Sequence, residues 1–215
     1  MQLYGRGIRR RPAPMLGDPR RLRLAYSIVF SLPGTPVLRY GDEIGMGEDL
    51  RLHERNAIRT PMQWSTEPNA GFSTAEKLVR PVIRRGVYDY EHVNVEEQRR
   101  DPESLLQWTA RMIRLRKQCP EVGWGEWRIV PAGSSAVLAI EYRRRGNAIV
   151  CVHNLDDVAH ETKLRLGGGT LANLIDVEEV HAGGDGIHRV PLEPYGSRWF
   201  RLGKVNQALA RESVD

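Results

Sequence analysis

The sequence predicts an α/β segment followed by an all-β module, on two observations. First, apolar residues recur at helical spacing from Leu22 to Leu32, and a short run typical of a strand follows the Pro33-Gly34 break. This order of helix, short break and strand is the unit of α/β folds with parallel strands. Second, apolar positions between about 125 and 202 fall into short runs separated by turns, which is typical of antiparallel sheets.

The α/β segment begins with a helix predicted over 19–32. Pro19 suits the first helical position because the N–H that it lacks would have no partner there. The segment 35–40 (TPVLRY) is predicted to be a strand, which Gly41 closes with a turn. We therefore expect one helix and one buried strand in this part of the chain.

The segment from about 47 to 100 shows no clear periodicity and is predicted to be a long loop. Such loops, beyond about 12–15 residues, are uncommon in compact proteins unless they carry function. A second helix, begun by Asp101-Pro102, is predicted to run to about Gln118. Its apolar face from Leu105 to Leu115 suits core packing.

The all-β module is predicted over 121–203 as an antiparallel β-sandwich of the Greek-key type. The prediction rests on the runs AVLAIEY (136–142), AIVCVHN (148–154), TKLRL (162–166) and SRWFRL (197–202). Residues 1–120 then form the preceding domain, and the tail 204–215 is expected to be flexible.

Composition excludes several classes of protein. The chain of 215 residues is 40% apolar and 27% charged, which is typical of a globular protein. Its longest largely apolar stretch, 24–32, has nine residues, whereas a membrane span needs about twenty. The basic N-terminus leads into no apolar segment, so we expect neither a secretory signal nor a membrane partner.

Metal and redox sites are also not expected. Neither Cys119 nor Cys151 belongs to a CxxC pair, and His53-Glu54 begins an HExx run that has Ala57 where a zinc protease needs its second His. The sequence therefore predicts no metal, no cofactor and a cytoplasmic location.

Positive charge is concentrated at the start of the chain. Residues 1–23 contain seven Arg and one Asp, a net charge of +6, against +5 for the whole chain. Such a segment could attract nucleic acid. However, Tyr4 is the only aromatic residue among these arginines and no nucleic-acid-binding module follows, so a solvated loop is favoured and nucleic acid is not an expected partner.

Two adjacent carboxylates are candidates for chemistry, because glycosidic-bond cleavage needs two carboxylates that flank the sugar. Asp42 and Glu43 follow the predicted strand at its C-terminal end, where barrel enzymes place their active residues. Neighbouring residues of an extended chain point to opposite faces, so these two could hardly meet on one bond. A positioning role is favoured over an acid/base pair.

Several stretches carry a family resemblance. GTPVLRYGDEIGM (34–46), followed by RNAIRTPMQWSTEPNAGFS (55–73), resembles the α-amylase superfamily of retaining glycoside hydrolases and transglycosidases, in its branch of α-glucosidases, oligoglucosidases and trehalose synthases. YGRGIRRRPAPML (4–16) and RYGDEIGMGEDL (39–50) are most similar to the trehalose synthases, or maltose α-D-glucosyltransferases. LEPYGSRWFRL (192–202) resembles the closing strand of the β-domain of these proteins.

The resemblance implies the C-terminal remnant of a (β/α)8 TIM barrel followed by a β-sandwich. The segment 35–40 would be the last barrel strand and 101–118 the last barrel helix. The family's nucleophilic Asp, acid/base Glu and stabilising Asp lie on earlier strands, and no motif for them occurs in this sequence. We therefore expect the C-terminal third of an enzyme, with no catalytic residue and no activity alone.

What the resemblance leaves to this chain is substrate binding. The Arg of the family's RTPMQW loop lies near the pocket for the transferred glucose, which implies that role for Arg59; a guanidinium offers a fork of donors to sugar oxygens. Arg55, Gln63, Tyr40 and Glu43 are the further candidates, and Gln63 could instead only anchor the loop.

In a completed enzyme the implied reaction interconverts maltose and trehalose by retaining glucosyl transfer. One alternative is an α-glucosidase or oligo-1,6-glucosidase-type hydrolase, in which water takes the glucosyl group. Another is a non-catalytic carbohydrate-binding or interaction module. The expected partners are maltose, trehalose or another α-glucoside, and self-association or a partner kinase is also compatible with the resemblance.

Overall fold

The computed structural model describes residues 7–203, which divide into two units. Unit 1 contains residues 7–23 and 37–111, and unit 2 contains residues 24–36 and 112–203. The tail 204–215, predicted to be flexible, and the beginning of the basic head lie outside the described residues.

Helices and strands both occur, and every strand pair that the structure describes is antiparallel. The α-helices are α1 (Pro12–Leu16), α2 (Pro19–Ser31), α3 (Val95–Arg100), α4 (Leu105–Lys117) and α5 (Pro120–Trp124). The strands are β1 (Glu126–Ile129), β2 (Val137–Arg144), β3 (Asn147–Asn154), β4 (His160–Arg165), β5 (Thr170–Asn173), β6 (Glu179–His181), β7 (Ile187–Leu192) and β8 (Ser197–Leu202). No helix among residues 7–203 is long and apolar enough to cross a bilayer.

The predicted strand over 35–40 is wrong. The structure gives this segment no strand, and no described strand pairs with it. An isolated strand exposes unpaired N–H and C=O groups, so the pattern TPVLRY cannot form one without a neighbour to complete a ladder. The expected parallel strand of an α/β unit is therefore missing from the described residues.

Both predicted long helices are present, but the second begins later than expected. Asp101-Pro102 does not start α4; instead the hydroxyl of Ser104 accepts the N–H of Gln107 (3.2 Å) and caps the helix. The long loop also contains an unpredicted helix, α3. Its N-cap is Asn94, whose side chain accepts the N–H of Glu97 (2.9 Å).

Unit 1 has little regular structure and is joined by side chains that bond to distant backbone. The amide of buried Gln63 donates to the carbonyls of Val93 and of Tyr88 (3.3 Å for the latter), and the amide of Gln98 donates to the carbonyl of Ile44 (2.8 Å). A small apolar cluster lies among these bonds: Ile44, Met46, Met62 and Val95.

Unit 2 contains two antiparallel sheets. The first has the order β1-β2-β3-β8-β5-β6, and the second pairs β4 with β7. The four predicted strand runs correspond to β2, β3, β4 and β8, so these predictions are confirmed. Strands β1, β5, β6 and β7 were not predicted, because their sequences are short or interrupted by polar residues.

The first sheet of unit 2 is buried on both faces at its centre. One face carries Val150, Val152 and Phe200, which share an apolar core with residues of β4 and β7 such as Leu164 and Val190. The opposite face carries Tyr142, Cys151, His153 and Trp199, all fully buried. Consequently almost every residue of β3 is buried, instead of every second residue.

The second part of α2 covers that opposite face. The hydroxyl of Ser27 accepts the indole N–H of Trp199 (3.0 Å) and contacts Nε2 of His153 (3.1 Å), and the hydroxyl of Tyr142 donates to the carbonyl of Ser31. Burial lowers the pKa of His153 to about 4, so this imidazole is neutral near pH 7.

Candidate functional site

Unit 1 contains a cleft of about 690 Å³, within the range of small-molecule sites. It brings together three of the five predicted binding residues, Tyr40, Glu43 and Arg59. The complete lining is Tyr40, Glu43, Arg59, Thr60, Pro61, Met62, Trp64, Phe72, Ser73, Ala75, Lys77, Leu78, Val79 and Arg80. We call this site the unit 1 cleft.

A glycine-flanked turn places Glu43 in the cleft wall. Gly41 has φ 84°, in the left-handed region, and a Cβ there would lie 2.3 Å from the sulfur of Met46, so only glycine fits. The following 3-10 turn, Asp42–Ile44, separates the two adjacent carboxylates. Glu43 lines the cleft, whereas Asp42 accepts a hydrogen bond from Arg11 (2.8 Å).

Arg11 is a buried guanidinium that joins the two segments bearing the predicted residues. It is 1% exposed. Its Nη1 donates to the carbonyl of Tyr40 (2.9 Å) as well as to Asp42, and its Nη2 donates to the carbonyl of Ile58 (3.0 Å). Interpreting the basic head as a solvated loop is therefore wrong for this residue, because its charge is used internally.

Tyr40 is held as a wall of the cleft. Its hydroxyl donates to the carbonyl of Thr60 (2.9 Å), and the guanidinium carbons of Arg11 and Arg39 lie 5.4 and 5.5 Å from its ring centre. Cations at this distance are attracted to an aromatic face. Because its hydroxyl hydrogen is already engaged, Tyr40 offers the cleft mainly ring surface.

Arg59 lies directly after the 3-10 turn Glu54–Ile58, and its N–H donates to the carbonyl of Asn56 (3.0 Å). Its side chain is exposed and makes no hydrogen bond or ion pair with another described residue. The backbone is therefore fixed while the guanidinium donors stay available to a ligand.

Arg55 and Gln63 are not brought to the cleft lining. Arg55 is exposed on the 3-10 turn, beside Gly7, where an added Cβ would lie 2.7 Å from the Cβ of Arg55. Gln63 is fully buried, and its amide joins the cleft segment to the backbone near Val93.

Two exposed aromatic side chains, Trp64 and Phe72, line the cleft together. A tight turn between them brings them near each other, since the N–H of Trp64 donates to the carbonyl of Ala70 (2.9 Å). Asn69 and Ala70 both adopt positive φ, 57° and 59°. Such φ values strain the backbone of a non-glycine residue, and strained residues cluster at functional sites.

Charge in the cleft is unbalanced. Its lining holds three cationic side chains, Arg59, Lys77 and Arg80, and one carboxylate, Glu43. A retaining glycosidase needs two carboxyl groups about 5–5.5 Å apart, and the lining of this cleft supplies one. The arrangement can bind and orient a polyhydroxylated ligand. Within residues 7–203 no group of three or more His, Cys, Asp or Glu side chains is arranged to hold a metal ion.

Several residues of this site have no signal in the sequence that predicts their role. Arg11 could not be recognised because its acceptors lie 29–47 residues away. Phe72 belongs to the NAGF stretch, which carries the family resemblance but does not by itself indicate a binding role. Lys77 and Arg80 follow in a polar run without any local signal.

Comparison with known proteins identifies two family models along the chain. The model described as "Alpha amylase, catalytic domain" matches residues 10–125. The model described as "Sucrose hydrolase-like, C-terminal domain" matches residues 146–201.

Two curated relatives are similar over most of the chain. A trehalose synthase of Pimelobacter sp. (strain R48) is 41% identical over 206 residues, which cover 91% of this chain and 36% of that protein. A trehalose synthase/amylase TreS of Mycobacterium tuberculosis is 40% identical over 209 residues, covering 91% of this chain and 34% of that protein. The chain thus spans about a third of the length of these relatives.

A solved structure shares the fold. The crystal structure of trehalulose synthase MutB from Pseudomonas mesoacidophila MX-45 superposes with a TM-score of 0.70 at 20% identity, covering 90% of this chain and 41% of that one. The catalytic-domain model spans more than half of the residues, and relatives near 40% identity cover nine-tenths of them. The chain belongs to the alpha-amylase family.

Proposed function

We propose that this chain supplies the substrate-binding side of a trehalose synthase-like enzyme that interconverts maltose and trehalose by retaining glucosyl transfer. In this proposal it corresponds to the C-terminal third of such an enzyme and does not turn over substrate alone. Residues 1–120 would form the last part of a (β/α)8 barrel, and residues 121–203 a β-sandwich domain.

The observation that carries the proposal is the composition of the unit 1 cleft. It combines an aromatic wall, the available guanidinium of Arg59 and the single carboxylate of Glu43. Aromatic faces suit the apolar C–H faces of a sugar ring, and charged donors and acceptors suit its hydroxyl groups. A cleft with one carboxylate supports a binding role rather than a complete retaining site.

Each of the three predicted residues has a distinct part in this proposal. Arg59 donates to hydroxyl oxygens of the transferred glucose, Glu43 accepts hydrogen bonds from its hydroxyl groups, and Tyr40 limits the cleft with its ring. Gln63 anchors the loop through its hydrogen bond to the carbonyl of Val93, and Arg55 adds positive charge on the turn that precedes Arg59. The nucleophile and the acid/base would come from a segment outside this chain.

A hydrolase of the α-glucosidase type would use the same binding residues. The two activities differ in whether water or the retained glucose attacks the glucosyl enzyme. We favour glucosyl transfer because one curated relative is a trehalose synthase and the other a trehalose synthase/amylase. We also propose a cytoplasmic location, which is supported by the two free, buried thiols of Cys119 and Cys151.

The test is binding of maltose and trehalose to the full chain, measured by calorimetry or by tryptophan fluorescence. We expect saturable binding, with Arg59→Lys weakening it about tenfold or more, because lysine lacks the planar fork of donors. Arg55→Lys is the matched control and should change the affinity less than threefold.

Glucose and trehalose formation by the chain alone is the second readout. We expect none above the uncatalysed background, because triad-type groups contribute several orders of magnitude to turnover. Inhibitor-sensitive conversion of maltose by the isolated chain would contradict the assignment as a binding part, and equal affinities of both arginine variants would contradict the role of Arg59.

A further inference from the structure

Unit 2 contains a separate pocket of about 420 Å³ that the proposed function does not use. It lies where α5 ends and the β2–β3 turn begins. Its lining is Trp124, Glu126, Arg143, Arg144, Arg145, Gly146 and Asn147. We call it the arginine pocket.

Close backbone contact holds the two sides of this pocket together. At Gly125 an added Cβ would lie 2.5 Å from the carbonyl oxygen of Glu121 and 2.8 Å from that of Arg143, so no larger residue fits there. This contact places Trp124, the preceding residue, beside the arginines of β2. Trp124 is 83% exposed, so its indole is available rather than used in packing.

The turn between β2 and β3 presents an arginine at an unfavourable backbone position. Arg144 pairs with Asn147, which leaves the two-residue loop Arg145-Gly146 with φ values of 48° and 83°. Turns with positive φ at both positions favour Asn-Gly or Asp-Gly, and arginine gains nothing there from the backbone. Strain of this kind, seen directly in the structure, points to a use for the side chain.

Two of the three guanidinium groups are not neutralised. Arg143 forms an ion pair with the buried carboxylate of Glu141, which Arg128 also contacts. The side chains of Arg144 and Arg145 form no ion pair or hydrogen bond with any residue in the described range 7–203. With Glu126 as the sole acidic residue of the lining, the pocket carries a surplus of positive charge.

These features together favour one class of ligand. Guanidinium groups bind phosphoryl oxygens through two parallel donors, and adjacent arginines suit a group that carries two negative charges. An exposed indole beside them offers a flat surface for the apolar face of a sugar ring. We propose that the arginine pocket binds a phosphorylated sugar, with the phosphoryl group on Arg144 and Arg145 and the ring against Trp124.

The test uses the full chain and three probes in calorimetry: glucose 6-phosphate, inorganic phosphate and glucose. We expect glucose 6-phosphate to bind most tightly, inorganic phosphate more weakly and glucose not at all at this site. The affinity for both phosphorylated probes should fall as the salt concentration rises, because exposed charges are screened.

The variants separate a binding role from a structural one. Arg144→Gln combined with Arg145→Asn should weaken glucose 6-phosphate about tenfold to a hundredfold, through loss of charge-assisted hydrogen bonds. Because asparagine suits the turn better than arginine, Arg145→Asn alone should leave the melting temperature unchanged or raise it while it lowers affinity. A purely structural arginine would give the opposite result.

Trp124→Ala should bring the affinity for glucose 6-phosphate down to that for inorganic phosphate. The matched control is Arg165→Asn, which removes the same charge from an exposed position on β4 and should leave binding unchanged. Absence of phosphate binding at 10 mM probe (about the weakest affinity that such a site would need), or equal affinity in the wild type and the double variant, overturns the proposal. An unchanged preference for glucose 6-phosphate in Trp124→Ala overturns the assignment of the sugar to the indole.

Discussion

In unit 1, segments without regular structure are connected by polar side chains that bond to distant backbone, whereas in unit 2 β-ladders enclose an apolar core. Arg11, Gln63 and Asn94 are each almost fully buried in unit 1 and hydrogen-bonded to main-chain groups. In unit 2, apolar residues such as Val150 and Leu164 form a core between the two sheets. The two units therefore resist unfolding for different physical reasons.

This difference predicts which substitutions should lower the stability of each unit. An apolar core tolerates swaps that keep its volume, because the hydrophobic effect has no direction. A buried donor or acceptor has one geometry that satisfies it, and its loss leaves a partner unpaired. We therefore expect the unit 1 cleft to depend on a few individual polar residues.

The largest expected effect is that of Arg11→Met. The change removes the guanidinium that donates to Asp42 and to the carbonyls of Tyr40 and Ile58. Breaking a buried ion pair from one side costs about 3–5 kcal/mol. Hydrogen exchange measured by mass spectrometry should speed up in peptides covering 40–60 and stay unchanged in β3.

Arg10→Met is the control for this prediction. Arg10 is the preceding arginine, and its ion pair with Glu48 is half-exposed on the arginine side. Such pairs contribute less than about 1 kcal/mol. If hydrogen exchange in Arg11→Met became faster to the same degree in both units, the two units would not differ in what stabilises them.

A second prediction concerns the pH dependence of unit 2. Burial lowers the pKa of His153 to about 4, whereas in the unfolded chain it is about 6.5. The unfolded state therefore binds the proton first, and the free energy of unfolding should fall by about 3 kcal/mol as the pH drops from 6.5 to 4. Urea unfolding followed by tryptophan fluorescence at several pH values measures this slope.

His153→Gln should flatten the slope between those pH values, since glutamine does not titrate. His92 gives the matched surface control: its hydrogen bond to Asp89 raises its pKa, so its contribution has the opposite sign. If His92→Gln removes the slope and His153→Gln leaves it intact, the buried imidazole does not govern the acid sensitivity of unit 2.

The smallest expected effect is that of Asn94→Ala, in unit 1. The amide of Asn94 caps α3 and also donates to the carbonyl of Tyr90 (3.1 Å). Loss of an N-cap of this kind costs about 0.5–2 kcal/mol. Asn94→Ser keeps a capping oxygen and should lose less; thermal unfolding of the two variants measures the difference, and identical losses would contradict the capping role.

Local pattern was sufficient for one part of the fold and insufficient for another. The runs 136–142 and 148–154 are separated by a turn and pair with each other, so neighbouring sequence contains the whole hairpin. The segment 35–40 has a comparable apolar pattern but has no strand beside it. A strand is stable only when it pairs with a neighbouring strand, and a single apolar run does not show whether such a neighbour exists.

The helix α3 was overlooked although its sequence contains a signal. Asn94 followed three residues later by Glu97 is typical of a helix start, and the last turn ends in Arg99 and Arg100. Its lack of apolar periodicity concealed it, because a helix of six residues shows too few turns for a period to appear.

For the cleft, the resemblance indicates Tyr40, Glu43 and Arg59, and the structure places these three in the lining of one cleft. The residues that support them could not be predicted from the sequence. Trp64 is not among the predicted binding residues, and Arg11 lies in a basic stretch whose composition suggests solvent exposure. Its burial depends on acceptors that only the folded chain assembles.

The three acceptors of Arg11 also set an order for biosynthesis. They follow it by 29, 31 and 47 residues, so this guanidinium leaves the ribosome well before the groups that accept its hydrogen bonds in the folded chain. Synthesis adds roughly 5–20 residues per second, which leaves a charged side chain uncommitted for several seconds. We expect the hydrogen bonds of Arg11 to be complete only once Ile58 has emerged, and the cleft to form later still, after the residues up to Arg80 that line it.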